Sequence, residues 1–396
     1  MKLVYGKCGS RKATIRVTID AGSSVEHGGK WTPGLAHLME HMMFQGSKNL
    51  THEELTKSMA RLGATWNAFT SHNRVSFFIN APCEKALEAT KIFSDMMFDR
   101  VFDGDDMEKE KLVVLEEERS SRDNIDRIIY EEMDKFLCKG PLALPNLGTP
   151  DTIKSIELDE VQDFYNHYYK PQKMLVTITG SDVDYERIGA LFGEDTGRFT
   201  RSEKGLNEFL LRKRKNMRGK VQSARVMVCY RAFSLKHKHA LDIQFAEKFF
   251  SDHMDSRLFQ TLRQKHGLCY AVGSFSALYD DVGWIIFWTN TNEGSVRKSI
   301  RLIDKEIVNL VENGPDKEEM ERGKNKFMSE VYGRLETSYG LNSVLDLRNF
   351  FGLPDIEKSI NRIKRMSRNR VMQACRHVLR PELRQVFTYL PDGKEK

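Results

Sequence analysis

A short apolar stretch near the N-terminus, residues 35–44, constrains this chain most, because it combines helical spacing with metal-binding side chains. Its sequence, Leu-Ala-His-Leu-Met-Glu-His-Met-Met-Phe, is rich in good helix formers, and the preceding Pro33-Gly34 turn marks a helix start. His37 and His41 are four residues apart, so one helical turn places both imidazoles on the same face. Two imidazoles in this arrangement can ligate one tetrahedral Zn²⁺.

Glu40 lies one residue before His41 and three after His37, where its carboxylate can take a proton from a water molecule on the metal. The order His-x-x-Glu-His is the inverse of the commoner His-Glu-x-x-His. The alternative is a helix whose histidines simply face solvent or core, but the joint pattern of two histidines and a glutamate favours a metal site. A catalytic zinc keeps three protein ligands, so the motif still needs a third.

Size and composition exclude several classes of protein. The 396 residues are enough for two or three domains, each with its own core. No apolar run approaches the roughly 20 residues that span a bilayer, and the N-terminus lacks a secretory signal. The six cysteines are scattered without a Cys-x-x-Cys, which argues against disulfides and against a thiolate zinc site. We therefore expect a cytoplasmic protein with no membrane partner.

The net charge of +6 is modest, and much of the basic excess lies in residues 212–220. This segment has no interleaved aromatic residues and matches no nucleic-acid-binding motif. It is therefore interpreted as part of a solvated linker, and no nucleic-acid partner is expected.

Hydrophobic periodicity predicts strands and helices in both halves of the chain. In the first half the strands are predicted at 12–21, 64–70, 74–80 and 174–180, and the helices at 51–62, 84–98, 105–137, 158–168 and 185–193. In the second half the strands are predicted at 221–230, 269–278, 284–289 and 385–389, and the helices at 238–254, 256–265, 294–313, 316–337 and 356–379.

The two halves, of about 190 residues each, have a similar mixture of elements, which predicts an α+β fold of two similar α/β-sandwich domains. We predict a catalytic, zinc-binding domain at 1–197, a linker at 198–220 and a second domain, without the motif, at 221–396. Residues 198–220 are Gly-, Arg- and Lys-rich and lose periodicity. The residue-level similarity between the halves does not by itself prove a duplication.

The third ligand is sought in three consecutive glutamates, residues 116–118. Glu117 lies three and four residues beyond Val114 and Val113, the apolar arc of the long helix, so it is predicted to point inward. Glu110 lies two turns earlier on the same face. An inward carboxylate needs a partner, which zinc would supply. Periodicity alone leaves open the alternative that all three glutamates are surface carboxylates.

The pattern His37-x-x-Glu40-His41, with Glu117 following 76 residues after His41, resembles the pitrilysin/insulinase family of zinc metallopeptidases. The resemblance implies that His37, His41 and Glu117 bind one Zn²⁺ and that Glu40 is the general base. It also implies that Glu110 is a further carboxylate of the catalytic group, outside the ligand set.

The resemblance extends over nearly the whole chain. Residues 67–70, Asn67, Ala68, Phe69 and Thr70, resemble the family's edge strand that pairs with a peptide substrate. Arg263 and Tyr270 resemble its substrate-contacting pair, in which the arginine donates to a peptide carbonyl and the tyrosine stabilises the oxyanion. Without the resemblance, a surface arginine and a core tyrosine would be the simpler interpretation.

The length resembles the short-subunit, processing-peptidase-like branch of this family, in which one chain supplies half of a four-domain clamshell. A homodimer, or a heterodimer with a related subunit, is thereby implied. One departure is the short N-terminus, which reduces the family's opening hairpin to residues 3–9 and leaves the pairing of a first strand open.

These inferences together predict a zinc-dependent endopeptidase that hydrolyses peptides or unfolded polypeptide segments. The alternative is a non-catalytic binding or assembly subunit on the same fold, and the intact ligand set argues against it.

Overall fold

The computed structural model describes residues 1–202, 204–251 and 253–392, which form two compact units. Unit 1 comprises Met1–Arg127, Gly140–Leu206 and Tyr332–Leu353. Unit 2 comprises Ile128–Lys139, Asn207–Val331 and Pro354–Lys396. None of the helices in the described ranges is long and apolar enough to cross a membrane.

Unit 1 is built on a five-stranded sheet. Its strands are β1 Lys2–Lys7, β2 Lys12–Ile19, β3 Thr65–Thr70, β4 Val75–Pro82 and β5 Met174–Gly180. They lie in the order β1-β5-β2-β4-β3, and only β1 and β5 pair in parallel. The first strand therefore exists and is paired along Lys2–Lys7, which settles the question left open by the short N-terminus.

Unit 2 contains a second five-stranded sheet with the same topology. Its strands are β6 Arg214–Gly219, β7 Ala224–Arg231, β8 Val272–Leu278, β9 Gly283–Thr291 and β10 Arg384–Pro391. They lie in the order β6-β10-β7-β9-β8, again with only the first pair parallel. Each strand of the first sheet has its counterpart five strands later, so the predicted α+β fold of two similar domains is confirmed.

Helices flank both sheets. In chain order they are α1 Leu35–Met42, α2 His52–Arg61, α3 Ala86–Phe98, α4 Gly104–Ser121, α5 Ile125–Leu137, α6 Pro150–Ser155, α7 Leu158–Tyr168, α8 Tyr185–Ala190, α9 Ala240–Glu247, α10 Val296–Asn313, α11 Lys317–Leu335, α12 Ser338–Phe351, α13 Ile356–Lys364 and α14 Arg368–Val378. A π-helical segment, Phe259–Lys265, replaces most of the helix predicted at 256–265. Short strands Cys138–Lys139 and Glu208–Phe209 pair within unit 2.

Strand β2 shows how the first sheet is covered on both faces. Ala13, Ile15, Val17 and Ile19 point into the hydrophobic core of unit 1, as the alternating pattern predicts. The intervening polar side chains face α12, which comes from the second half of the sequence. There Arg16 Nε donates to Asn342 Oδ1 at 2.8 Å, and Asn342 Nδ2 donates to the Thr14 and Thr177 carbonyls at 3.0 and 2.8 Å.

Unit 2 receives a helix from the first half of the sequence in return. Residues Ile128–Lys139, which include most of α5, belong to this unit. The Phe136 ring packs 6.0 Å from that of Phe387 on β10, and Lys215 on β6 donates to Glu132 at 2.7 Å. Each unit is therefore completed by one helix from the other half of the chain.

The domain boundaries differ from the predicted 1–197, 198–220 and 221–396. Unit 1 extends to Leu206 and includes Tyr332–Leu353, while the predicted linker contains β6. The linker interpretation is wrong for Arg214–Gly219, because the side chains of this edge strand are mostly long and polar and hide the period of two.

Two predicted helices are in fact pairs of helices. The stretch 105–137 breaks after α4, where tight turns bond the amides of Arg122, Asp123 and Asn124 three residues back. The stretch 356–379 breaks between α13 and α14, where the Ser367 hydroxyl caps α14 by accepting from the Arg370 amide. Helix α12 lies at Ser338–Phe351, between the helices predicted at 316–337 and 356–379, where no element is predicted.

The polar contact between α12 and the first sheet generates a stability prediction. Asn342→Ala removes the acceptor of the buried Arg16 Nε and the donor to two carbonyls, so we expect the free energy of unfolding to fall by about 2–4 kcal/mol in urea titrations. The exposed Asn361→Ala should change it by less than about 0.5 kcal/mol. Equal effects of the two substitutions would contradict a role for Asn342 in joining α12 to the sheet.

Candidate metal centre

Helix α1 carries three of the predicted site residues. It follows Gly34, whose φ of +99° is the left-handed conformation that glycine tolerates best. The rings of His37 and His41 lie on one face with their centroids 4.7 Å apart. The helix predicted for this stretch is thus present, and ends at Met42.

Glu117 on α4 completes a cluster with the two histidines. Its Oε2 atom lies 3.4 Å from His41 Nε2 and 3.7 Å from His37 Nε2. One potential ligand atom from each residue lies within 4.8 Å of the others. His37 is buried, while the Glu117 side chain is 46% exposed, so the cluster is reached from the carboxylate side.

The neighbouring glutamates have other partners. Glu116 pairs with Arg119 at 2.8 Å and Glu118 with Arg122 at 2.6 Å. The alternative that all three are surface carboxylates is wrong for Glu118, which is buried, whereas Glu117 is exposed but lies beside the two histidines. The predicted apolar arc is only partly correct, because Val114 is buried but Val113 is 50% exposed.

Glu110 holds His41 from the side opposite Glu117. Its Oε2 atom lies 3.0 Å from His41 Nδ1, and its Oε1 accepts from Gln45 Nε2 at 2.6 Å. A carboxylate at Nδ1 favours the proton on that nitrogen, which leaves Nε2 directed at Glu117 and His37. Burial by itself would lower the pKa of His41, but its hydrogen bonds to Glu110 and Glu117 raise that pKa to about 9.

The pKa values of the other two titratable groups of the cluster, His37 and Glu117, are both lowered. Burial, reinforced by nearby His41, lowers the pKa of His37 to about 4, so its imidazole is neutral at physiological pH and offers a lone pair. The hydrogen bond from His41 lowers the pKa of Glu117 and outweighs the effect of its partial burial. A neutral imidazole and an ionised carboxylate are the forms that bind metals.

Glu40 lies beside the cluster on the same helix. It is largely buried, and the Thr70 hydroxyl of β3 donates to its Oε2 at 2.5 Å. Burial raises the pKa of Glu40, against the opposing effect of the Thr70 hydrogen bond. The buried Tyr169 hydroxyl, which has no hydrogen-bond partner among the described residues, interacts electrostatically with Glu40.

The predicted substrate strand, residues 67–70, lies on β3 at one edge of the first sheet. The Ala68 amide donates to Asn67 Oδ1 at 2.8 Å. This edge is thus joined to the metal-ligand helix through Thr70 and Glu40.

Arg263 and Tyr270 lie together in unit 2. The Arg263 guanidinium is 4.9 Å from the centroid of the Tyr270 ring and 4.9 Å from that of Phe259. Tyr270 is 83% exposed, so it is not the core tyrosine of the simpler interpretation. Arg263 belongs to the π-helical segment, a distortion that is frequent at functional sites.

Sequence reasoning missed two residues at the ends of α1. Glu26 is buried and accepts from the amides of Gly34 and Ala36 at 3.0 and 2.8 Å. Burial raises the pKa of Glu26 to about 8, against the effect of these two hydrogen bonds. Arg100 donates to the Met42 carbonyl at the other end. Neither residue belongs to a periodic pattern, so only the folded chain reveals them.

The start of α1 also depends on a close backbone approach. A Cβ atom on Gly148, whose φ is +75°, would lie 2.5 Å from the Pro33 carbonyl oxygen. We expect Gly148→Ala to lower the free energy of unfolding by about 3 kcal/mol or more, because strain and this clash add.

The matched control is Gly197→Ala. Its φ of +63° is similar, but a Cβ there would meet nothing within 4 Å. Gly197→Ala should lower the free energy of unfolding by about 1 kcal/mol in the same urea titration. Comparable losses in the two variants would show that the approach to Pro33 is unimportant.

Comparison with known families gives a consistent assignment. Residues 4–149 match the model described as "Insulinase (Peptidase family M16)", and residues 155–327 match "Peptidase M16 inactive domain". An uncharacterized zinc protease of Bacillus subtilis, YmxG, is 28% identical over 338 residues, which cover 83% of this chain and 80% of that protein. The beta subunit of the mitochondrial-processing peptidase of Caenorhabditis elegans is 29% identical over 181 residues, or 46% of this chain and 39% of that protein.

Solved structures agree on the fold. The crystal structure of a peptidase M16 inactive domain from Pseudomonas fluorescens superposes with a TM-score of 0.89 at 17% identity, covering 100% of this chain and 96% of that one. A protease from Helicobacter pylori gives a TM-score of 0.86 at 19% identity, and the match covers 98% of this chain and 96% of that one. The two family-model matches, which together span residues 4–149 and 155–327, show that the chain belongs to the M16 family of peptidases.

Proposed function

We propose that this chain is a zinc-dependent endopeptidase that hydrolyses peptides or unfolded polypeptide segments. The observation that carries the proposal is the convergence of His37, His41 and Glu117, whose potential ligand atoms lie within 4.8 Å of one another. Relatives named as zinc proteases support the same metal.

The residues of the cluster fit one zinc ion per chain. Two imidazole nitrogens and one carboxylate oxygen are a common donor set of catalytic zinc. Glu110 on His41 is the kind of outer partner that fixes a ligand's tautomer and ring orientation. When bound, zinc would supply Lewis acidity, polarising a carbonyl and lowering the pKa of a coordinated water.

Glu40 is proposed to be the general base. Its carboxylate would accept a proton from the attacking water and pass it to the leaving amine. A raised pKa suits the first of these steps, since a carboxylate of higher pKa is a stronger base toward the proton of the water. The hydroxyl of Thr70 holds the carboxylate in place from β3.

The substrate is proposed to add as a strand along residues 67–70. Strand addition uses main-chain hydrogen bonds, so it requires an extended segment and imposes little sequence preference. Arg263 and Tyr270 are proposed to donate to the substrate carbonyl and to the developing oxyanion. The exposure of the Tyr270 side chain suits this role. We also propose that the active assembly is a dimer, of identical or related subunits.

The base assignment is tested by Glu40→Gln. The variant should bind one zinc per chain like the wild type, because Glu40 is not in the ligand set, yet lose cleavage of an unstructured peptide by at least about 100-fold. Cleavage would be followed by mass spectrometry and zinc by metal analysis of the purified protein. Cleavage at the wild-type rate would eliminate Glu40 as the base. A wild-type protein without stoichiometric zinc and without cleavage would instead favour the non-catalytic assembly subunit.

The carboxylate ligand is tested by comparing two adjacent glutamates. Glu117→Gln should weaken zinc binding by at least about 100-fold, because a neutral amide is a much poorer ligand than a carboxylate. Glu116→Gln, which changes an exposed carboxylate paired only with Arg119 in the described contacts, should leave zinc binding unchanged. The measurement is competition with a chromogenic chelator, and equal affinities for the two variants would remove Glu117 from the site.

A further inference from the structure

The helix that carries the metal-binding histidines is too short to hold its own position. Helix α1 has 8 residues, about two turns, and isolated helices of this length are marginal in water. Its N-cap residue is Gly34, which has no side chain to bond the first amides. The position of His37, Glu40 and His41 therefore depends on groups from outside the helix.

A buried carboxyl group supplies the missing cap at the N-terminal end. Glu26 lies 8 residues before Gly34 and is 2% exposed. Its two oxygens accept separately from the amides of Gly34 and Ala36, at 3.0 and 2.8 Å. Two bonds from one side chain fix both the axial position and the rotation of the first turn, in which His37 lies.

A buried guanidinium group binds the opposite end. Arg100, on the segment between α3 and α4, donates to the carbonyl of Met42, the last residue of α1 and the neighbour of His41. Its guanidinium also lies 5.1 Å from the centroid of the Phe102 ring, which limits its freedom. A cation at a helix C-terminus is also favoured by the helix dipole.

The duplicated fold supplies an internal comparison. Helix α9 in unit 2 is the counterpart of α1, because each follows the second strand of its sheet, but it carries no His-x-x-Glu-His. In the described contacts the amides of Ala240, Asp242 and Ile243 donate to backbone carbonyls of His237 and His239. In the described contacts the first amides of α9 are thus bonded by backbone carbonyls, whereas those of α1 are also bonded by a buried carboxyl group.

We propose that Glu26 and Arg100 are positioning residues of the zinc site, which act together as a clamp on the two ends of α1. The inference rests on the proposed function, since it assigns the clamp to the alignment of His37 and His41 with Glu117. The third ligand belongs to a different helix, so any slide or rotation of α1 changes the separation of the ligand atoms. A displacement near 1 Å is enough to cost large factors in rate.

The test compares four variants with the wild-type full chain: Glu26→Ala, Glu26→Gln, Arg100→Met and, as a control, Asp242→Asn. Asp242 is a fully buried carboxylate of α9, held by His239, Arg362 and Arg370, so its loss should destabilise the protein without touching α1. Each protein is measured for thermal stability, Zn²⁺ affinity by chelator competition, the visible spectrum of its Co²⁺ form, and kcat and KM on an unstructured peptide.

The clamp predicts that Glu26→Ala and Arg100→Met weaken Zn²⁺ binding roughly 10- to 100-fold, the range found for residues that orient metal ligands. The Co²⁺ spectrum should change, and kcat should fall with little change in KM. Glu26→Gln, which keeps one acceptor oxygen, should recover part of the affinity. Asp242→Asn should lose thermal stability while keeping the wild-type affinity and spectrum.

The proposal is overturned if the Glu26 and Arg100 variants lose stability as Asp242→Asn does but keep the wild-type Zn²⁺ affinity and Co²⁺ spectrum. Should Glu26→Ala fail to fold, Glu26→Gln and Arg100→Met decide by the same criteria. A wild-type chain that binds no Zn²⁺ would refute the proposed function, and with it the clamp. A wild-type chain that binds and cleaves while the variants match it would refute the clamp alone.

Discussion

The site depends on side chains from two different helices meeting at one point. The helical repeat brings His37 and His41 together within α1 at almost no cost, since residues four apart share a face. Glu117 comes from α4, and its Oε2 atom lies within 3.7 Å of the Nε2 atoms of both histidines. Packing a short helix against a long one to this accuracy requires fixed groups around it. Glu110 on His41 and Thr70 on Glu40 are two of these groups.

Unit 2 has the same topology as unit 1 but lacks the His-x-x-Glu-His motif, so it shows which residues occupy the corresponding positions. Helix α11 is the counterpart of α4, and Glu330 lies 330 − 317 = 13 residues after its first residue, just as Glu117 lies 117 − 104 = 13 residues after the first residue of α4. Glu330 forms an ion pair with Lys248, the residue that directly follows α9, and the distance from Lys248 Nζ to Glu330 Oε2 is 3.2 Å. A lysine ammonium therefore neutralises the carboxylate of unit 2 where unit 1 presents two imidazoles.

The features that sequence reasoning predicted are local. The helix predicted at 51–62 and the strands predicted at 64–70 and 74–80 are present as α2, β3 and β4. These follow from spacing and propensity within a few residues. Spacing left Glu117 either inward or at the surface, and the family resemblance placed it with the histidines. Part of the inward argument was wrong, because Val113 is exposed.

What the sequence did not reveal depends on distant partners. Strand β6 is made mostly of long polar residues at a sheet edge, so it looked like a linker until its pairing with β10 was known. Helix α12 crosses to a sheet whose Arg16 lies 326 positions away from Asn342, and no local pattern encodes that exchange. Glu26 is a buried acid in a loop, and only the folded chain shows what its carboxyl group binds.

The most direct measurement is X-ray absorption at the zinc edge of the purified chain. If His37, His41 and Glu117 share one ion, the spectrum should fit two imidazole nitrogens and oxygen ligands at about 2.0–2.2 Å, with one zinc per chain. Sulfur at about 2.3 Å would contradict the site, because none of its three ligands contains sulfur. Zinc bound to oxygens alone would also contradict it, because two histidines supply nitrogen ligands.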